Sequence, residues 1–324
     1  MLHRALARTA VLLALAFVAA RPAGADDIVF PPGSRIGLVP PPGVTPVSAV
    51  RGNPNVHGFE DGPDATAISI LELPAQVYGE FEKATSADAL KKQGVTLEKR
   101  EELTLKDGKG ILLVGQQQAA ANVSLRKWIL VASMPDLTAL LTVEIPAAAK
   151  SLYPDEAIHA ALASVTVRKS VPVDEQLSLL PYRLGELAGF RVVRIVGGNL
   201  VLLTDGPEDS IEAVEQPHVL VTVGVGGPED ATSRQNFARN LLAGVPSFKD
   251  VHLTSSEMLR LNGQQVHELM ADGKDAKNGA DLKIVQWLKF TGGAYMHIVA
   301  SAPATGWLQA FPRFRAVRDG VGGK

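Results

Sequence analysis

The sequence contains no cysteine, and aromatic residues make up only 5% of its 324 positions. Without cysteine the chain cannot form a disulfide, a thiolate metal site or a lipid-anchored N-terminal cysteine. The low aromatic content argues against a large aromatic-lined platform for carbohydrates or nucleobases. Glycine (30) and proline (21) are frequent and indicate many turns between short elements.

The usual sequence signatures of catalysis and cofactor binding are missing as well. There is no Gly-x-Ser-x-Gly nucleophile elbow, and no two histidines have the spacing His-x-His or His-x-x-x-His. The glycine-rich stretch 223–230 lies between a predicted strand and a predicted helix. Glu229, however, stands where a dinucleotide fingerprint needs its third glycine. We therefore predict no catalytic residue, no cofactor and no metal, and a protein that is not an enzyme.

One combination of residues suggests a metal site. His267 and His297 lie in predicted strands of the C-terminal half and could be neighbours across a sheet, with Glu268 nearby. Residues 267 and 268 would nevertheless point to opposite faces of a strand, because side chains alternate along it. The sequence therefore favours ordinary surface or half-buried histidines over zinc ligands.

The first 25 residues have the features of an export signal. Arg4 and Arg8 give a basic start, residues 9–20 are apolar, and Ala23-Gly24-Ala25 provides a small-x-small cleavage pattern. The apolar run is shorter than the roughly 20 residues that a membrane-spanning helix needs. We predict a signal peptide over 1–25 and a periplasmic or secreted protein.

The predicted mature chain is acidic. The signal peptide holds three of the 32 lysines and arginines and none of the 34 acidic residues, so the net charge changes from −2 to about −5 on cleavage. An acidic protein is expected to be soluble and is a poor partner for nucleic acid. No later stretch approaches membrane length, so we expect no transmembrane anchor in the mature chain.

The two halves of the chain repeat one order of features. Each half begins with an alternating apolar run, a proline and a helical stretch. It continues with a turn glycine (Gly110 or Gly263), a tryptophan in a β-rich run (Trp128 or Trp287) and a strand that ends in proline. A unit of about 140 residues is too long for a solenoid repeat and fits a duplicated domain. We predict domain one over 26–169, a linker over 170–181 and domain two over 182–324. Each domain is predicted to be α+β, an antiparallel sheet packed with helices.

This element order resembles the PsbP-like fold, which includes the photosystem II subunit PsbP and bacterial periplasmic DcrB-like proteins. The Gly110/Trp128 and Gly263/Trp287 pairs carry the resemblance, which covers both halves as a tandem duplication. The opening stretch 30–40 also resembles small exported proteins of alphaproteobacteria. The resemblance implies a binding or assembly module of the envelope and carries over no catalytic residue.

The C-terminal stretch breaks the duplication with a cluster of aromatic and arginine residues. Its candidate interaction residues are Trp307, Arg313, Arg315 and Arg318. Aromatic and arginine side chains dominate the energetics of protein interfaces, so the cluster could dock an acidic partner or anionic lipid headgroups. The alternative is a short helix that starts near Pro312, with its phenylalanines packed inward and its arginines solvated.

The favoured function is therefore an exported, non-enzymatic binding or assembly module that contacts an envelope protein. Two alternatives stay open. One is a small-ligand carrier that uses the cleft between the domains, and the other is a periplasmic hydrolase with no recognisable sequence motif.

Overall fold

The computed structural model describes residues 27–62, 66–120, 123–209 and 216–324. The predicted signal peptide, 1–25, lies outside the described residues. The chain divides into two compact units, one that extends to Arg168 and one that begins at Lys169. Among the described residues, no helix combines the length and apolar character needed to cross a bilayer.

The first unit is built around a seven-stranded antiparallel sheet. The strands of this unit are β1 (Ile36–Gly37), β2 (Thr45–Val47), β3 (His57–Glu60), β4 (Ala67–Pro74), β5 (Val95–Leu105), β6 (Gly108–Ala120), β7 (Val123–Ser133), β8 (Leu137–Pro146) and β9 (Thr166–Val167). Its α-helices are α1 (Tyr78–Ala84), α2 (Ala87–Lys92) and α3 (Asp155–Ala163). The sheet order is β2-β3-β4-β8-β7-β6-β5, and β1 pairs separately with β9.

The second unit repeats this plan. Its strands are β10 (Tyr182–Leu184), β11 (Arg191–Val196), β12 (Leu200–Thr204), β13 (His218–Val225), β14 (Phe248–Leu261), β15 (Gln264–Asp275), β16 (Asp281–Thr291), β17 (Ala294–Pro303) and β18 (Val321–Gly323). Its α-helices are α4 (Val173–Leu179), α5 (Ala231–Ala243) and α6 (Trp307–Gly320). The sheet order is β11-β12-β13-β17-β16-β15-β14, so β13 to β17 take the places of β4 to β8. The predicted fold class, two similar α+β domains with antiparallel sheets, is confirmed.

The stretch 170–181, interpreted from the sequence as a linker, contains helix α4 and enters the second unit. Leu180 is fully buried in the second core, and Leu177 packs against that core. A leucine with no exposed surface contributes to the stability of the unit that buries it.

Both faces of each large sheet are covered, because apolar side chains point alternately to the two sides of its central strands. In the first domain, one cluster joins Trp128 and Leu130 to Ile158 of α3, and another joins Ile111 and Leu113 to Leu90 of α2. In the second domain the corresponding clusters are Trp287 with Phe314 of α6, and Leu269 and Leu288 with Leu242 of α5. Each domain is thus a sheet between two helical layers.

Trp128 and Trp287 occupy the same place in the two sheets. Trp128 lies on β7 and is 4% exposed, whereas Trp287 lies on β16 and is fully buried. Their prediction as equivalent core residues is confirmed. Their indole nitrogens differ, since Trp287 Nε1 donates a hydrogen bond to Glu268 at 2.5 Å. No described residue accepts from the buried Trp128 Nε1.

The predicted equivalence of Gly110 and Gly263 is wrong. Gly110 lies inside β6 opposite Ala132, and a Cβ there would come within 2.7 Å of the Leu130 side chain. Gly263 lies in a two-residue hairpin turn with Asn262, both with positive φ (81° and 49°), as a type I′ turn requires. One glycine is therefore demanded by close packing and the other by turn geometry.

The last helix also differs from the prediction, because α6 begins at Trp307 and contains Pro312 in its interior. Proline is most common in the first helical turn, which is why the sequence suggested a start near Pro312. Trp307 and Phe311 pack against the second core, and this tertiary packing extends the helix in front of the proline.

We expect stability to fall as the pH falls from about 6.5 to about 4, because burial lowers the pKa of His297 to about 4. Above pH 6.5 the imidazole is neutral in both states. Below that value the unfolded chain takes up a proton that the folded chain does not, at a cost of about 3 kcal/mol by pH 4. The measurement is urea unfolding across this range. His297→Gln should flatten the pH dependence, and the exposed His252→Gln should leave it unchanged.

Candidate functional site

Arg313, one of the predicted interaction residues, is engaged within its own domain. Its guanidinium lies 4.4 Å from the centre of the Phe190 ring, its Nε donates to the Ala188 carbonyl at 2.9 Å, and its Nη1 forms an ion pair with Asp205. These contacts fasten α6 to the segment that precedes β11 and to the end of β12. Arg313 is therefore not an unengaged cation on the surface.

Arg318 is buried rather than exposed, with 2% of its surface accessible. Its guanidinium lies 5.1 Å from the centre of the Trp287 ring, is hydrogen-bonded to the Asp319 carboxylate at 2.8 and 3.0 Å, and is 3.7 Å from Glu268. Trp287, Glu268 and Arg318 thus form a buried polar cluster beneath α6. The helical spacing of Phe311, Phe314 and Arg318 places Arg318 on the inward face, a signal that the sequence analysis missed.

Trp307 is half-buried and stacks on Phe311, with ring centres 5.0 Å apart. Of the four predicted residues, Arg315 alone is exposed. No described residue is in an ion pair or hydrogen bond with its side chain. Trp307, Arg313 and Arg318 thus make contacts within their own domain, and Arg315 is the exposed member of the predicted patch. An interaction role for these four residues stays a prediction.

Arg315 borders a groove between α6 and the end of β14. The groove consists of two adjoining cavities of about 430 and 400 Å³ that share Leu261 as a wall. The larger cavity is lined by the apolar residues Leu259, Leu261, Met270 and Phe311 and by the charged residues Arg260, Glu268, Arg315 and Arg318. The smaller cavity continues to Arg183, Lys289 and Asp319. We call these two cavities together the β14–α6 groove.

The lysine in the groove is partly withdrawn from solvent. Lys289 Nζ donates to the carbonyls of Arg318 and Val321 at 3.0 and 3.1 Å. Burial lowers the pKa of this ammonium. Its hydrogen bonds hold the end of α6 and the start of β18 against the sheet, so Lys289 supports the wall of the groove.

The register of the two sheets identifies which residues of β5 and β14 correspond. Trp128 pairs with Val114, which pairs with Lys99. Trp287 pairs with Glu268, which pairs with Glu257. Lys99 of β5 and Glu257 of β14 therefore occupy equivalent positions. Two residues further along each strand, Leu259 of the second domain corresponds to Glu101 of the first.

In the first domain, side-chain bridges join this edge strand to the helix. Glu101 is bonded to His159 of α3 at 2.5 Å, and Arg126 joins Asp155 of α3 at 2.6 Å to Glu98 of β5. The pKa of Glu101 is lowered mainly by its hydrogen bond to Lys99 and further by His159. Because Leu259 replaces Glu101, the bridge to the helix is not repeated in the second domain, where the β14–α6 groove lies.

Strand β14 forms an open edge. Among the described residues it pairs with β15 alone. Its irregularities lie between Lys249 and Ser255, and the stretch 256–261 continues in regular register. Two large apolar side chains on this strand are markedly exposed, Leu253 at 41% and Met258 at 52%. An edge with these properties offers main-chain hydrogen-bonding groups to another chain.

The two histidines considered as metal ligands are not neighbours. In the sheet, Leu288 of β16 lies between His267 and His297. His267 is hydrogen-bonded to Ser256 at 3.1 Å and His297 to Gln286 at 2.8 Å. Within the described ranges, no three His, Asp or Glu side chains are grouped so that they could hold a metal ion.

A separate small cavity on the α5 side of the second sheet has a volume of about 40 Å³. Its polar lining residues are His218, Ser247, Asp275 and Ser301. The Asp275 carboxylate accepts the backbone N–H groups of Lys277 and Asn278 and so forms part of a turn. The volume accommodates a few water molecules and is too small for a substrate.

No protein-family model matches the sequence, and no curated protein matches it. Among solved structures, the chain is similar to LpqN of Mycobacterium tuberculosis, described as involved in cell envelope biogenesis (14% identity, 44% of this chain and 82% of that one, TM-score 0.34). It is similar to the cyanobacterial PsbP of Synechocystis (15% identity, 42% and 82%, TM-score 0.32). It is also similar to TplEi, a T6SS immunity protein of Pseudomonas aeruginosa (12% identity, 91% and 96%, TM-score 0.28). A PsbP is thus among the structures this chain resembles, as the sequence predicts, and the two-domain α+β architecture rests on the strand order described above.

Proposed function

We propose that this protein is an exported, non-enzymatic binding or assembly module of the cell envelope that acts through protein–protein contacts. The observation that carries the proposal is the difference between the two domains. The same fold is present in both domains. In the first domain, side-chain bridges join the edge strand β5 to α3. In the second domain, the space between the edge strand β14 and α6 forms the β14–α6 groove. A groove that the shared fold does not require is best explained by a bound partner.

The chemistry of the groove suits a protein surface. Its lining combines aliphatic side chains, an aromatic ring (Phe311) and an unpaired arginine (Arg315). Aromatic and arginine residues are enriched where interfaces derive most of their binding energy. Leu308, on the same helix, is 83% exposed, and exposed apolar side chains beside a groove are typical of interaction sites.

A small-ligand carrier and a hydrolase without a recognisable motif remain the alternative proposals. A carrier predicts that small molecules raise the melting temperature of the purified protein, because binding to the native state stabilises it. A hydrolase predicts turnover in an esterase, phosphatase and glycosidase panel. Either result, together with the failure of the cross-linking experiment below, would replace the binding-module proposal.

We expect a photo-cross-linking amino acid at position 315 to capture a protein in the living host. The variant replaces Arg315 by p-benzoylphenylalanine, and the matched control places the same residue at Glu156, an exposed position on α3 of the first domain. After irradiation, the Arg315 variant should give a cross-linked species of discrete mass that the Glu156 variant lacks. Equal capture at both positions, or none at position 315, would contradict the proposal.

A further inference from the structure

We propose that the β14–α6 groove binds an extended segment of another protein, which adds to β14 as a new strand and carries acidic residues opposite Arg315. This inference rests on the proposed function and names the class of partner. The strand addition would run alongside residues 256–261 of β14. Apolar side chains of the partner would lie against Leu259 and Leu261.

The backbone of β14 supports strand addition. Residues 256–261 pair with β15 residue by residue in antiparallel register. In such a strand, every second residue directs its N–H and C=O groups away from the existing neighbour. Because β14 ends the sheet within the described residues, those groups face outward and are available to an extended peptide.

The side chains of the two edge strands differ as strand addition would require. Proteins commonly protect a free edge with charged side chains, prolines or bulges. Strand β5 of the first domain carries five consecutive charged residues over 98–102, whereas the stretch 256–261 is Ser-Glu-Met-Leu-Arg-Leu, with two charged residues and neither proline nor a bulge. The edge of the second domain is thus less protected by charge along this stretch than the corresponding edge of the first.

The charge of the groove indicates an acidic partner. Arg318 is already held by Asp319 and Glu268, and Lys289 is hydrogen-bonded to two carbonyls. Arg315 and Arg260, which both line the larger cavity, are exposed, and neither has an ion-pair partner among the described residues. A carboxylate on the bound segment could pair with the Arg315 guanidinium in bidentate geometry.

The open main-chain edge favours a peptide over an anionic lipid. A lipid headgroup could bind Arg315, but it has no regular series of N–H and C=O groups to pair with β14. An extended polypeptide can pair with the main chain of β14 and also pack side chains against Leu259 and Leu261, because its side chains alternate with the same period as those of the strand.

The test selects a phage-displayed library of random 12-residue peptides on the immobilised full-length protein and measures synthetic copies of the winners by fluorescence anisotropy. We expect sequences with apolar residues at alternate positions and at least one Asp or Glu. Leu259→Glu introduces the residue that the first domain carries at this position, and Arg315→Glu reverses the charge of the exposed arginine on α6. Each should weaken binding about tenfold or more, and Lys150→Glu on the exposed surface of the first domain should leave it unchanged.

Strand addition is tested separately by N-methylation of the peptide backbone. A series of peptides, each methylated at one backbone nitrogen, lacks one N–H donor at a time. Methylation at every second position should abolish binding, and methylation at the positions between them should leave binding intact. Binding that tolerates methylation throughout, or a selection that enriches no peptide, would overturn the inference. The inference would also be overturned if the protein bound no peptide but bound phosphatidylglycerol vesicles, and if Arg315→Glu abolished that vesicle binding. Cross-linking at position 315 combined with any of these results would leave the proposed function standing and remove only the strand-addition inference.

Discussion

Replacement of Trp287 by alanine is expected to lower the free energy of unfolding of the second domain by about 3–5 kcal/mol. The indole is fully buried, packs on the ring of Phe311 at 6.5 Å between centres, and donates a hydrogen bond to Glu268. Its removal creates a cavity and leaves the Glu268 carboxylate without a donor. Calorimetry of the full-length protein should show the loss in the transition that belongs to the second domain.

Trp128 provides the matched control for this result. Trp128→Ala should cost a similar amount in the first domain, because the residue is 4% exposed in the equivalent core. The two phenylalanine variants should differ, however. Trp287→Phe removes the N–H donor to the Glu268 carboxylate, whereas no described residue accepts from Trp128 Nε1. Trp287→Phe should therefore lower the free energy of unfolding by about 1–3 kcal/mol more than Trp128→Phe. Equal losses would show that the hydrogen bond to Glu268 contributes nothing to stability.

Replacement of Arg318 by methionine is expected to destabilise the second domain by about 3–5 kcal/mol. The guanidinium is almost completely buried, and its removal leaves the largely buried Glu268 carboxylate, 13% exposed, without a countercharge beside Trp287. Methionine retains much of the packing volume, so the loss reports mainly on electrostatics. Urea unfolding of the variant against the native protein measures the difference in free energy.

A second substitution separates the buried charge from the packing. In Arg318→Met combined with Glu268→Gln, the glutamine can still accept from the Trp287 indole while its charge is removed. The double variant should therefore recover most of the lost stability, because neutral replacement of a buried pair is far less costly than breaking it. Arg315→Met on the exposed side of α6 should change stability by no more than about 0.5 kcal/mol. A loss for Arg318→Met as small as that for Arg315→Met would refute the buried cluster.

The sequence by itself determined the α+β class, the duplication and the equivalent tryptophans. These features depend on local regularities, namely alternating apolar residues in strands, turn residues between hairpin strands and capping residues at helix starts. Helix α5 is an example, since the Asp230 side chain accepts the N–H of Ser233 at its first turn and the helix, Ala231–Ala243, follows the glycine-rich stretch 223–230 as predicted. Local interactions of this kind are encoded within a few residues and can be read from them.

Tertiary structure alone decided which charged residues are free. Arg318 lies 3.7 Å from Glu268, 50 positions earlier in the chain, in addition to its hydrogen bonds with the adjacent Asp319, and Arg313 pairs with Asp205, which is 108 positions away. The sequence also left open whether His267 and His297 are neighbours, and the strand order places β16 between them. Leu259 lies at the register position of Glu101, so the Glu101–His159 bridge of the first domain is not repeated beside the groove. The register and the strand order are set by the packing of the whole domain, so a single sequence does not reveal which residues meet across it.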